Sequence, residues 1–264
     1  MNQLETIVQW KRNEIKDRIR PVREWELVGL ANKMKPGLTF AEALVHPECL
    51  CIIAEMKRRS PSAGTIDQEV SVEEQIREYY NAGANALSIL TDEHFFGGHL
   101  RDLCTATDLM AQRLDARPCL RKDFTLHPIQ ILEAAEAGAR AVLLIVGVLD
   151  DETIKVLYEA ASLAALDVLF EVHDEQELER ALNAEARIIG VNNRDLTRFT
   201  TDLSVSERLL PQISSEIVRI SESGIHSAED AYRVRVAGAD AVLVGEAMMK
   251  AKDKAAFIQS IQSV

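Results

Sequence analysis

Ala82-Gly-Ala-Asn-Ala-Leu-Ser-Ile-Leu90 decides the fold, because close variants recur at Ala137-Gly-Ala-Arg-Ala-Val-Leu-Leu-Ile145 and Ala237-Gly-Ala-Asp-Ala-Val-Leu-Val-Gly245. In each phrase the glycine is placed to close a helix in the left-handed conformation. An alanine-led apolar run follows and reads as a buried strand. Repetition of one helix-to-strand junction is what stacked βα units produce. Even taken as an ordinary αβ loop, Ala-Gly-Ala argues for an α/β chain.

Working outward, apolar β-rich runs fall at 51–54, 86–90, 118–120, 141–146, 167–172, 187–191, 217–221 and 240–244. Amphipathic helical patterns fill the gaps. Val72 to Ala82 is one; Glu175 to Leu182, opened by Asp174 as an N-cap, is another. This alternation predicts a (β/α)8 TIM barrel, with residues 1–264 forming one domain. Residues 1–48 read as an N-terminal helical extension. Leu4, Ile7, Val8, Ile15 and Ile19 carry a helical period over 3–20, which Pro21 ends. A second short helix is expected around Trp25 to Met34 and a third from Phe40 to Leu44. An open, doubly wound sheet is the competing architecture, but no G-x-G-x-x-G follows the first strand.

Composition narrows the function. Of 264 residues, 47% are hydrophobic and 5% aromatic, which suits helices packed on a parallel sheet. The net charge of −12 and pI near 5.1 argue against nucleic acid or an anionic membrane as partner. Cys49, Cys51, Cys104 and Cys119 form no C-x-x-C pair and no metal pattern with histidine. They read as buried free thiols in a reducing compartment. Trp10-Lys11-Arg12 interrupts any signal-like apolar run, and no stretch reaches membrane-spanning length. The expected location is cytoplasmic, or organellar after removal of a transit peptide.

Active sites in such barrels lie at the C-terminal ends of the strands. The first strand runs into Glu55-Met-Lys57-Arg58-Arg59-Ser60-Pro61. Alternation puts Glu55 and Lys57 on one side. Alone, they could be a structural ion pair. The other strands end in Thr91-Asp92-Glu93, Arg121-Lys122-Asp123, Glu171, Asn192-Asn193-Arg194-Asp195, Ser221-Glu222-Ser223-Gly224 and Gly245-Glu246, while the fourth ends apolar at Ile145-Val146-Gly147. Such convergence of polar groups on one mouth favours catalysis. Ser223-Gly224 and Gly245 resemble a phosphate cradle, since glycine lets backbone N–H groups approach the oxygens. Lys122 is a candidate general acid, and Glu55 or Glu171 a candidate base. Pro61, Phe96 and Phe124 offer a wall for a flat ring.

These residues also carry a resemblance. I-I-A-E-M-K-R-R-S-P-S (52–62), L-R-K-D-F (120–124), L-F-E-V-H-D (169–174), G-V-N-N-R-D-L (190–196), S-E-S-G-I (221–225) and A-V-L-V-G-E (241–246) are similar to phrases of the indole-3-glycerol-phosphate synthase family. The early helix (4–15) fits it too. The resemblance implies a barrel without metal or organic cofactor. It implies ring closure, decarboxylation and dehydration of 1-(2-carboxyphenylamino)-1-deoxyribulose 5-phosphate. The implied roles are Lys122 as general acid on the C2 carbonyl, Glu171 as acid–base carboxylate for the late steps, and Glu55 as assisting carboxylate. Lys57 would hold anions and act in acid catalysis, Asn192 and Ser223 would orient the substrate, and Arg194 would help place it. Ser60, Pro61, Phe96, Phe124, Leu143, Glu222, Gly224, Gly245 and Glu246 complete the expected substrate contacts. The expected partner is the phosphorylated substrate alone, bound by a monomer, with room for association with other enzymes of tryptophan biosynthesis. Gly97-Gly98-His99 departs from the family's usual Gly-Ser, and Glu246 stands where some relatives have serine. Two other readings stand beside this one: a Schiff-base aldolase with Lys122 as nucleophile, and a barrel that has lost catalysis and only binds.

Overall fold

Residues 3–60, 64–65, 71–195 and 200–264 are described by a computed structural model. Its eight principal strands are β1 (Cys51–Met56), β2 (Ala86–Leu90), β3 (Cys119–Lys122), β4 (Ala141–Ile145), β5 (Asp167–Val172), β6 (Ile188–Asn192), β7 (Val218–Glu222) and β8 (Ala241–Val244). They form a closed barrel in which β1 pairs with both β2 and β8, every pairing being parallel. Closure removes the open-sheet alternative. The fold is the (β/α)8 barrel with helices between the strands and helices before the first.

Each strand sorts its residues into two layers, as period-two alternation requires. Ile52, Ala54, Met56, Leu87, Ile89, Val142, Leu144, Phe170 and Val191 face outward into the shell of helices. Cys51, Ile53, Leu120, Leu143, Leu169, Ile188, Ile220 and Leu243 fill the barrel interior. The interior positions next along the strands are Glu55, Lys122, Glu171 and Glu222, and on β6 Gly190 followed by Asn192. The fold therefore delivers those five side chains to one end by strand geometry alone.

The repeated junctions behave as expected: Gly83, Gly138 and Gly238 have φ of +94°, +78° and +106°. Two further junctions reach the same conformation without glycine, at Ala165 (φ 54°) and Glu185 (φ 58°). The helix Glu175–Asn183 opens on Asp174, whose side chain accepts from Glu177 N. A short antiparallel ladder, Arg59–Ser60 with Gly64–Thr65, follows β1 and was not expected from the pattern.

The N-terminal segment folds as α1 (Gln3–Ile15), a 3-10 turn (Lys16–Arg18), α2 (Glu24–Ala31) and α3 (Phe40–Ala43). Phe40 and Leu44 are fully buried in the interior cluster. Ala41 N donates to Asp167 Oδ2 at the start of β5, so α3 plugs the barrel's N-terminal end. Helix α1 attaches at the opposite end. Ile7, Val8 and Ile15 bury a helical stripe, and Lys11 lies in the same stripe at 0% exposure. Its ammonium is 2.9 Å from each of Glu14, Asp92 and Asp123. Asp92 and Asp123 follow β2 and β3, so this buried cluster fastens α1 over the C-terminal rim.

Candidate active site

At the C-terminal mouth, Lys122 Nζ donates to Glu171 Oε2 at 2.9 Å and lies 3.5 Å from Glu222 Oε2. Asn192 Nδ2 donates to the other oxygen of Glu171, Oε1, at 3.1 Å. Lys57 Nζ donates to Glu55 Oε1 at 2.7 Å, as the alternation along β1 implied. A cavity of about 50 Å3 sits here, lined by Glu55, Lys57, Lys122, Asn192, Glu222 and the Ser223–Gly224 turn.

Three buried carboxylates share two lysines. Burial works against the Lys122 ammonium, but Glu171, Glu222 and Glu55 outweigh it and raise its pKa. Lys122 is therefore firmly cationic. Burial alone would lift Glu171, yet Lys122, His173 and Asn192 hold it down at about 2. Glu222 is compensated less: burial, with Glu171 and Glu55 nearby, outweighs Lys122 and His173 and pushes it up to about 8. One ammonium between two carboxylates stabilises one anion, and the other carboxyl keeps its proton.

Glycines make room for these groups. Gly190, opposite Glu171 in the β5–β6 ladder, has no side chain, and a Cβ there would overlap Glu222 Oε1. A Cβ on Gly245 would lie 2.5 Å from Glu55 Oε1 and 2.8 Å from Lys57 Nζ. Beyond β7, Ser223 and Gly224 have consecutive left-handed backbones, φ 67° and 86°. A serine held there costs on the order of 1 kcal/mol, and such strain gathers at functional turns.

The remaining expected contacts are spread around the mouth. Phe96 and Phe124 come together with ring centroids 6.3 Å apart. Arg194 lines the cavity, its backbone N donating to Asn192 Oδ1 at 3.0 Å. Glu246 turns along its own helix, where Oε1 accepts from Lys250 Nζ at 2.6 Å. Leu143 is a core residue of the barrel interior at 1% exposure. Ser60 is placed only as backbone, paired with Gly64, and Pro61 lies outside the described residues. In the departing loop, His99 caps the helix Leu100–Met110 by accepting from Arg101 N, and its imidazole pairs with Glu93 on the surface.

Several polar strand ends do not reach the mouth. Arg121 and Asp123 flank Lys122 and so point the other way. Arg121 bonds Asp123, Glu133 and the Gln130 carbonyl. Thr91 and Asp92 join the Lys11 cluster. Asn193 Nδ2 donates to Ser221 Oγ at 2.9 Å and to the carbonyls of Glu222 and Ser223. Arg58 pairs with Asp102 at 2.5 Å, and Arg59 donates to the Glu93 and His94 carbonyls. The expected convergence from nearly every strand thus narrows to the alternate, inward residues. Sequence reasoning passed over His173 and Glu177, which stand directly behind Glu171, and over Gly190. Among the described residues no group of His, Cys, Asp and Glu has the arrangement of a metal site.

The profile of the family described as indole-3-glycerol phosphate synthase matches residues 4–261. The chain belongs to that family. The indole-3-glycerol phosphate synthase of Opitutus terrae is 56% identical over 259 residues, covering 97% of both chains. The enzyme of the same name from Bacillus cereus is 42% identical over 257 residues, covering 97% of this chain and 96% of its own. Solved barrels share the fold at low identity. Thiamine phosphate pyrophosphorylase from Pyrococcus furiosus superposes with a TM-score of 0.60 at 19% identity, covering 80% of this chain and 93% of its own. 3-Hexulose-6-phosphate synthase from Salmonella typhimurium does so with a TM-score of 0.60 at 16% identity, covering 80% and 96%. Those two show the barrel and nothing of the reaction. For this synthase family member, all four cysteines are free thiols, but only Cys51 and Cys119 are buried as expected, Cys49 and Cys104 being half-buried; among the described residues no helix is long and apolar enough to cross a membrane.

Proposed function

We propose that this chain closes the indole ring of 1-(2-carboxyphenylamino)-1-deoxyribulose 5-phosphate as a carbon–carbon lyase, with Lys122 as the acid that starts the reaction. The observation that carries this is the placing of one firmly cationic lysine between Glu171 and Glu222 at the mouth. A proton from Lys122 Nζ to the C2 carbonyl oxygen lets the anilino ring carbon attack C2 and form the new bond. Loss of CO2 returns the electron pair of the C–CO2 bond to the ring. Departure of the C2 hydroxyl as water and loss of a proton then complete the indole. Glu171 is the carboxylate for these late proton transfers, Glu55 assists it, and Lys57 holds substrate anions. Asn192, Ser223 and Arg194 orient the substrate. The turn at Ser223–Gly224 and the backbone at Gly245 take the phosphate, while Phe96 and Phe124 flank the anthranilate ring. Holding these parts in register supplies the orientation term, worth up to roughly 7–11 kcal/mol in favourable cases.

The raised pKa of Lys122 disfavours the aldolase reading, since a Schiff-base nucleophile attacks as the free amine and needs a depressed pKa. The free thiols support a reducing, cytoplasmic setting. Lys122→Ala tests the assignment. Turnover should disappear while the affinity for a non-reacting substrate analogue stays within about tenfold, as for a group acting in the transition state. Near-normal turnover in that variant would remove Lys122 from the mechanism.

A further inference from the structure

Behind Glu171 stands a second layer that the ring closure itself does not use. His173 follows β5 by one residue and, by alternation, points to the same side as Glu171. Its Nδ1 lies 3.0 Å from Glu177 Oε2, and its backbone N donates to the same oxygen at 2.8 Å. That double attachment fixes the ring and leaves Nε2 facing Glu171 Oε1 at 3.5 Å. Among the described residues, Nε2 is buried with no hydrogen-bond partner. The Glu177 carboxyl is itself accommodated by an absent side chain, since a Cβ on Gly147 would overlap Glu177 Oε1. Space, anchor and direction are therefore all built around one imidazole.

We infer that His173 is a positioning residue for Glu171, anchored by Glu177 so that the imidazole fixes the orientation and the charge of the carboxylate through the oxygen that Lys122 does not hold. This rests on the reading of Glu171 as the proton-transferring carboxylate. Lys122 bonds Oε2, but it gives its proton to the substrate and then no longer supports an anion there. Glu171 is only 1% exposed, so water cannot take over that support. His173 Nε2 and Asn192 Nδ2 both face Oε1 and stay in place to support the anion for the late step.

The groups facing His173 are Glu171 from β5, Glu222 from β7 and Glu177 from the helix Glu175–Asn183. Burial opposes the imidazolium, but the bond to Glu177 and the nearby Glu171 outweigh it and raise its pKa. Arg180, on the same helix as Glu177, is turned away to the Val146 and Leu149 carbonyls and to Asp151.

The test is the pH profile of kcat in His173→Gln and Glu177→Gln, using the anilino-ribulose phosphate as substrate. Removing the imidazole that helps hold the Glu171 pKa down lets it rise, so the acid limb moves to higher pH by roughly one unit in His173→Gln. In Glu177→Gln the imidazole loses its anchoring carboxylate, and the limb moves the same way by less. KM stays within about twofold in both. An unmoved acid limb in both variants overturns the inference, even if kcat falls, because a purely structural histidine lowers rate without moving the limb. If His173→Gln does not fold, Glu177→Gln decides alone by the same criterion. Absence of turnover in the unmodified protein would instead count against the proposed reaction.

Discussion

Glu222 occupies the space that a side chain on Gly190 would fill. The two sit on neighbouring strands, β7 and β6, in the interior of the barrel. Gly190 carries no positive φ, so its backbone would accept alanine. What forbids a larger residue is first the carboxyl beside it, with Leu169 Cδ1 next at 3.0 Å. Gly190→Ala should therefore cost about 1–3 kcal/mol, as overpacking does. Glu222→Ala in the same chain should recover most of that cost. A double-mutant cycle by urea unfolding should give a coupling of at least about 0.5 kcal/mol. Additive effects would mean that the glycine serves something else.

The same carboxyl predicts a pH effect. Its folded pKa of about 8 stands above the ordinary value of 4.5. Between those values the folded chain holds a proton that the unfolded chain releases, so stability falls as pH rises through this window. Glu222→Gln has no proton to lose. The variant should gain in melting temperature over the unmodified protein on going from pH 5 to pH 8.5. His173 shifts stability in the same direction, so the comparison must be between the two proteins at each pH. A constant difference across the range would show that Glu222 is ionised at pH 5.

Lys11 predicts a large effect far from the ring chemistry. It is buried at the centre of three carboxylates, and its removal strands Asp92 and Asp123. Breaking a buried ion pair from one side costs roughly 3–5 kcal/mol. Lys11→Met should lower the unfolding free energy by that amount in denaturant titration. A loss under about 1 kcal/mol would mean that water or Arg121 replaces the ammonium.

Much of this was legible from residue order. The glycines at 83, 138 and 238 announced helix ends, and the structure puts all three in the left-handed region. Ala165 and Glu185 do the same work and were invisible, because no residue preference marks them. Glu55 and Lys57 met across one intervening residue, as a strand requires. Extending that rule to the third strand would have separated Lys122 from Arg121 and Asp123. Treating strand ends as clusters of polar residues obscured it. Lys11 was hidden for a similar reason. It falls at the helical spacing Ile7–Lys11–Ile15, but a lysine in an apolar stripe reads as a surface residue until its buried partners, 81 and 112 positions away, are known. Which of the three buried carboxylates keeps a proton depends on distances of a few ångströms and has no signature in sequence.

The most direct test of the central claim is to mix the purified protein with 1-(2-carboxyphenylamino)-1-deoxyribulose 5-phosphate and follow indole fluorescence together with CO2 release. Ring closure on Lys122, Glu171 and their neighbours predicts a rising signal with one CO2 per indole, abolished in Lys122→Ala. A silent mixture in which a substrate analogue still binds would contradict it, leaving a barrel that recognises the substrate without converting it.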